Sequence, residues 1–188
     1  TVLQMANYVF DQSVWDIFNT LCCGGTLCLI SKERMQTAEG IESYIKENQV
    51  TVLMTTTVML EVLHPEKVGS LRLVDGGGDV AKEEVLDRWK KVADMVVNSY
   101  GPTEATVNAT AYLYKGVEKG SIPIGLPLLN KKIYIMQGEN LCGIGQIGEI
   151  CIAGKGLAEE YLNQRELTEE KFTKNPYFSY FSKLPSFH

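Results

Sequence analysis

Residues 71–106 read LRLVDGGGDVAKEEVLDRWKKVADMVVNSYGPTEAT. LRLVD is a short apolar run that stops at three glycines, and MVVNS is another that stops at a polar turn. Between them, AKEEVLDRWKKVAD is charged but carries Val85, Leu86 and Trp89 on one helical face. Strand, helix, strand at this spacing predicts a right-handed crossover between two parallel strands.

The same alternation extends upstream. VTVLM predicts a strand, residues 37–48 a helix, and TLCLIS a short, fully apolar strand. DQSVWDIFNTLCCGG predicts an amphipathic helix with Val14, Ile17, Phe18 and Leu21 at helical spacing. Asp11 or Ser13 would cap it, and Gly24 and Gly25 would stop it. From about Gly116 the pattern changes. KKIYIMQGENLCGIGQIGEICIAG predicts two strands around Gly-rich turns, and LNQRELTEEKF a short amphipathic helix. The expected fold class is therefore α/β: a mainly parallel sheet with crossover helices, then the start of a β-rich subdomain. Residues 1–115 and 116–176 are its two expected parts, and residues 177–188 an irregular tail to which no element is assigned.

Composition narrows the function classes. The 188 residues are 45% hydrophobic and 22% charged, which suits one ordinary globular core. A net charge of −5 with no basic cluster argues against a nucleic-acid partner. No apolar run approaches the roughly 20 residues that span a bilayer, and TVLQMANYVF has no signal-like block, so no membrane and a cytoplasmic location are expected. Cys22, Cys23, Cys28, Cys142 and Cys151 fit neither a zinc site nor a CxxC pair and read as reduced, small core residues.

Several patterns invite chemistry. Residues 143–148 form a literal GxGxxG, but the EICIAG that follows reads as a strand rather than a helix, so a turn is expected. Asn108-Ala109-Thr110 matches a glycosylation acceptor, with nothing to indicate secretion. Asp11, Ser13 and His64 have no nucleophile-elbow context and are set aside as a triad. GGGD, residues 76–79, has no Gly-Lys-Ser/Thr after it; it serves either as a turn with Asp79 capping the next helix or as a close-approach surface for a flat ligand. In NSYGPTEAT, hydroxyls and a Gly-Pro turn suit phosphate, Glu104 suits Mg²⁺, and Tyr100 suits a base; the alternative is a merely polar loop. Both segments fall at strand carboxyl ends, where open α/β sheets bind ligands.

NSYGPTEAT resembles the core motif of the adenylate-forming superfamily, in particular the adenylation domains of nonribosomal peptide synthetases. FDQSVWDIF, IPIGLPLLNKKIYI and GEICIAGKGLAEEYLNQRELTEEKF resemble three further family segments in the same order. The resemblance covers about residues 1–176 and implies a partial adenylate-forming core. It implies ATP- and Mg²⁺-dependent activation of an amino acid, then loading onto the phosphopantetheine of a carrier domain, with peptidyl carrier and condensation domains as partners.

Residue by residue, Asp11 would meet the substrate α-ammonium, with Gln12, Trp15, Met54, Asp75, Gly77, Ser99, Val107 and Asn108 around the side chain. Gly76, Gly77, Gly78, Asn98, Tyr100 and Gly101 would face the adenylate. Thr103 and Glu104 would be catalytic, Thr103 on the α-phosphate and Glu104 on the magnesium. Gln12, Asp75 and Asn108 imply a polar substrate side chain, a cationic one included. Ala158-Glu159-Glu160-Tyr161 stands where the family carries Ala-Arg-Gly-Tyr. The family's phosphate loop, ribose-binding aspartate and catalytic lysine have no counterpart in these residues, so an internal fragment, inactive alone, is expected. The competing readings are a carboxylate–CoA ligase, against which Asp11 argues, and a non-catalytic remnant of a broken synthetase gene.

Overall fold

The structure, a computed structural model, describes residues 1–117 and 120–177, so residues 178–188 of the expected tail lie outside the described residues. The contacts divide into two units, residues 1–128 and a second beginning at Leu129.

The first unit runs β1 (Val2–Gln4), α1 (Gln12–Cys22), β2 (Leu27–Leu29), α2 (Ala38–Glu47), β3 (Val52–Thr56), α3 (Thr57–Val62), β4 (Leu73–Gly77), α4 (Glu83–Lys90), β5 (Met95–Tyr100), β6 (Thr110–Leu113) and β7 (Leu126–Pro127). Its sheet has the order β2-β1-β3-β4-β5-β6-β7. The pairs from β2 through β5 are parallel; β6 and β7 add antiparallel strands at one edge. The expected α/β class with a mainly parallel sheet is thus observed. β1, α3, β6 and β7 are additional elements, each too short to establish a period in sequence.

Register explains the core. Leu3 pairs with Leu53, Leu53 with Val74, and Val74 with Val96, giving a row of four fully buried side chains across four strands. Ile41 and Ile45 of α2, Leu60 of α3, and Val85, Leu86 and Trp89 of α4 belong to the same cluster. Each such burial contributes about 1.5–3 kcal/mol. Trp89 is wholly buried, and its indole N–H donates to the Leu60 carbonyl at 3.0 Å. Glu42, also buried, accepts from the His64 backbone N–H at 2.9 Å and lies 2.7 Å from the His64 ring, tying α2 to the segment before β4. His64 therefore stands apart from Ser13, whose hydroxyl donates to the Phe10 carbonyl at 2.8 Å.

Three expectations change. The helix at residues 11–25 forms, but its buried row is Ser13, Asp16 and Thr20, whereas Phe18 is 60% and Leu21 58% exposed. The hydroxyls of Ser13 and Thr20 bond to backbone carbonyls of the same turn, so this polar row meets the sheet without orphaned hydroxyls. Asp11 occupies the N-cap position without a side-chain cap bond. Asp79 does not cap α4, which begins later, after Lys82; its carboxylate accepts from the Val80 N–H at 2.7 Å. The cysteines are all free as expected, but none is buried: Cys22 and Cys23 end α1 on its exposed side.

The second unit contains β8 (Lys131–Gln137), β9 (Asn140–Leu141), β10 (Glu149–Gly154) and α5 (Arg165–Lys171). β8 pairs antiparallel with both β10 and β9. The GxGxxG is the β9–β10 turn, pinned by the Gly143 N–H donating to the Gln146 side chain at 2.7 Å. Among the described residues no helix is long and apolar enough to cross a membrane.

Gly125 is the tightest point of the first unit's antiparallel edge. Its φ is +86°, and a Cβ there would run into the Ala111 carbonyl on β6. Gly125→Ala is expected to lower stability by about 2 kcal/mol or more, read as a fall in Tm. An unchanged melt would show that the edge accommodates a side chain.

Candidate functional site

The carboxyl ends of β3, β4 and β5 open into a cavity of about 380 Å³. That volume is within the usual range for small-molecule sites. Pleat and register decide which side chains reach it. Met54 on β3 pairs with Asp75 on β4, two residues further on Thr56 pairs with Gly77, and Gly77 with Ser99 on β5; all five line the cavity. Gly76 faces the other way, where a Cβ would meet Leu60 and Thr57 of α3. Gly78 and Gly101 line the cavity beyond the strand ends.

Asp11 and Gln12 enter from the start of α1. Asp11 accepts from the Thr103 hydroxyl at 2.7 Å, a contact between residues 92 positions apart that joins the first motif to the Gly-Pro turn. Thr103, Glu104 and Ala105 form a single 3₁₀ turn, with Thr103 exposed and Glu104 half-buried.

The chain then passes through Thr106 and Val107 at φ +57° and +62°, a left-handed conformation that β-branched residues rarely adopt. Two bonds hold this bend: Asn108 N–H to the Thr106 carbonyl at 2.9 Å, and Ala109 N–H to the Tyr100 carbonyl at 2.7 Å. The bend brings Val107 and Asn108, both buried, to the cavity wall. It also lays the backbone of residues 107–109 over Gly101, leaving no room there for a Cβ.

Of the remaining expected residues, Trp15 does not line the cavity, but its indole N–H reaches the Asp75 carboxylate. Asn98 is buried, and its amide donates to the Pro123 carbonyl at 2.8 Å; Tyr100 is half-buried at the end of β5. Neither lines the cavity. Met5, Ala6 and Phe10 from the segment before α1, Met35 from a 3₁₀ turn, Thr55 and Thr56 from the end of β3 and Met59 from α3 also line the cavity and were not among the expected residues. Adjacency of Met5 to β1 and of Thr55 and Thr56 to Met54 is the only signal that could have found them.

Two buried carboxyls set the electrostatics. Burial pushes Asp75 up to about 6, against the pull of hydrogen bonds from Ser99 (2.6 Å) and Trp15. Asp16, wholly buried on α1, is pushed up to about 7 by burial. The Gln12 amide (3.0 Å) and the Ala6 N–H oppose that rise, and the nearby Asp75 charge adds to it. Among the described residues no group of three or more His, Cys, Asp or Glu could hold a metal unaided. A lone carboxylate such as Glu104 suits a Mg²⁺ whose other ligands are phosphate oxygens and water.

Asp16 makes stability pH-dependent. Its folded value near 7 exceeds the ordinary 3.8, so the folded state binds more protons between those limits. Stability from this group is present below about pH 4 and falls as pH rises through 7, by on the order of a few kcal/mol. Asp16→Asn is expected to flatten that decline, seen as a Tm gain at pH 8 that shrinks at pH 5. Parallel Tm profiles for both proteins would contradict it.

The sequence pattern of the AMP-binding enzyme family matches residues 1–162. Bacitracin synthase 1 of Bacillus licheniformis is 41% identical over 186 residues, covering 94% of this chain and 4% of that protein. Gramicidin S synthase 1 of Brevibacillus brevis is 35% identical, covering 93% of this chain and 16% of its own length. The chain thus spans only a small part of the curated relatives it matches. The crystal structure of the nonribosomal peptide synthetase FmoA3 with bound α-methyl-L-serine-AMP superposes with a TM-score of 0.87 at 30% identity, over 93% of this chain and 21% of that one. The chain belongs to the AMP-binding enzyme family, and within it is similar to the adenylation domains of nonribosomal peptide synthetases.

Proposed function

We propose that this chain supplies the amino-acid wall and part of the nucleotide wall of an adenylation site. There an amino-acid carboxylate oxygen bonds to the α-phosphorus of ATP, pyrophosphate departs, and aminoacyl-AMP results. The observation that carries the reading is the cavity at the strand ends, lined by Asp11, whose carboxylate is hydrogen-bonded to Thr103. A carboxylate at the start of α1 is placed to receive an α-ammonium, and the Thr103 hydroxyl to donate to a phosphate oxygen once it turns from Asp11.

Gly77, Gly78 and Gly101 let a flat adenine approach the backbone, with Gly76 serving instead to seat the strand on α3. Asn98, anchored through its amide, keeps its carbonyl oxygen for the adenine edge, and Tyr100 offers a ring to stack on. Mg²⁺ on Glu104 would offset charge on the triphosphate. The aminoacyl group then passes to the phosphopantetheine thiol of a carrier domain, as the relation to peptide synthetases suggests.

Amino-acid-dependent exchange of labelled pyrophosphate into ATP by the full-length protein tests this. Asp11→Ala is expected to reduce exchange by roughly 100-fold or more, and Glu104→Gln by roughly 10-fold or more. Residues 1–188 alone are expected to show no exchange, since phosphoryl chemistry needs charge from several sides. Coenzyme A-dependent use of plain carboxylic acids, with amino acids inert, would favour the ligase reading instead.

A further inference from the structure

Three side-chain donors at or beside the cavity are already committed to carboxylates. The Ser99 hydroxyl donates to Asp75, the Gln12 amide to Asp16, and the Thr103 hydroxyl to Asp11. Ser99 and Gln12 therefore meet a ligand chiefly through oxygen atoms. Among the described residues lining the cavity there is no Lys, Arg or His, yet two are carboxylates, Asp11 and Asp75.

This lining suits a ligand with more than one cationic donor. If Asp11 takes the α-ammonium, Asp75 is left for the side chain. Asp75 is 8% exposed, with only Ser99 and Trp15 to compensate its charge. A neutral amino acid packed against it would remove its remaining water without supplying opposite charge. Asp16, hydrogen-bonded to Gln12 and fully buried, adds to the negative potential when ionised, without lining the cavity. Beside the neutral polar Thr55, Thr56 and Asn108, the wall carries four flexible apolar side chains, Met5, Met35, Met54 and Met59. Methionine walls fit a methylene stem and adapt to its length.

We propose that the cavity selects an amino acid with a cationic side chain, its ammonium or guanidinium held by Asp75 and its methylene stem by the four methionines. This rests on the amino-acid-activation reading above and names its substrate class. Asp75 is the specificity-determining residue; Asp16 acts on it only through charge.

The test is pyrophosphate exchange by the full-length protein with lysine, ornithine and arginine against leucine, serine and glutamine. At least one cationic amino acid is expected to exceed every neutral one by about 10-fold or more in kcat/KM. Asp75→Asn is expected to lower the cationic value by about 10-fold or more and to raise the neutral values, whose desolvation cost at the carboxylate it removes, so that the ranking shifts toward neutral amino acids; Asp75→Glu is expected to restore the preference in part. Circular-dichroism melts establish that each variant is folded; if Asp75→Asn is not, the wild-type panel decides alone. Preference for a neutral amino acid, or an unchanged ranking in folded Asp75→Asn, overturns the cationic selection and leaves activation standing. No exchange with any amino acid overturns both.

Discussion

Leu3, Leu53, Val74 and Val96 stand in register across four parallel strands with their side chains fully buried, and the site is placed by that row. Because side chains alternate, burying these four turns Met54 and Asp75, one residue further along, to the opposite face. A one-residue slip of β4 would carry Asp75 into the apolar cluster and Val74 to the cavity. Dispersion and hydrophobic burial against α2, α3 and α4 hold the register, and the chemistry at the strand ends inherits it.

That core offsets features that are individually unfavourable. Two carboxyls are buried, one on α1 and one on β4, each with its proton affinity raised. Two consecutive β-branched residues are held left-handed after the Gly-Pro turn. Strain and desolvation of this kind, found in and beside one cavity, are typical of sites built for binding rather than for stability. The Asp11–Thr103 hydrogen bond joins the start of α1 to the Gly-Pro turn after β5.

The alternation of strands and helices was legible because each segment carries its own period, and the GxGxxG turn was legible because a β-branched run follows it. Four motifs in order also pointed to the adenylate-forming resemblance, and the family comparison agrees with it. The burial of α1 was not legible. Helical spacing located the helix, but Val14, Phe18 and Leu21 face outward while Ser13, Asp16 and Thr20 face the sheet, a choice made by packing and by bonds within the turn. The cysteines show the same limit: apolar neighbours in sequence did not make them buried.

The sequence by itself determined the α/β class, the succession of elements and the residue types available for chemistry, since local period, glycine and capping chemistry act over a few residues. Only the tertiary structure decided which of them meet. It turned Gly76 away from the cavity and Gly77 toward it, set the Asp11 carboxylate against the Thr103 hydroxyl, and brought four methionines and Asp75 into the wall of one cavity. The reason is physical: sheet register is a property of distant segments in contact, and no short stretch encodes it.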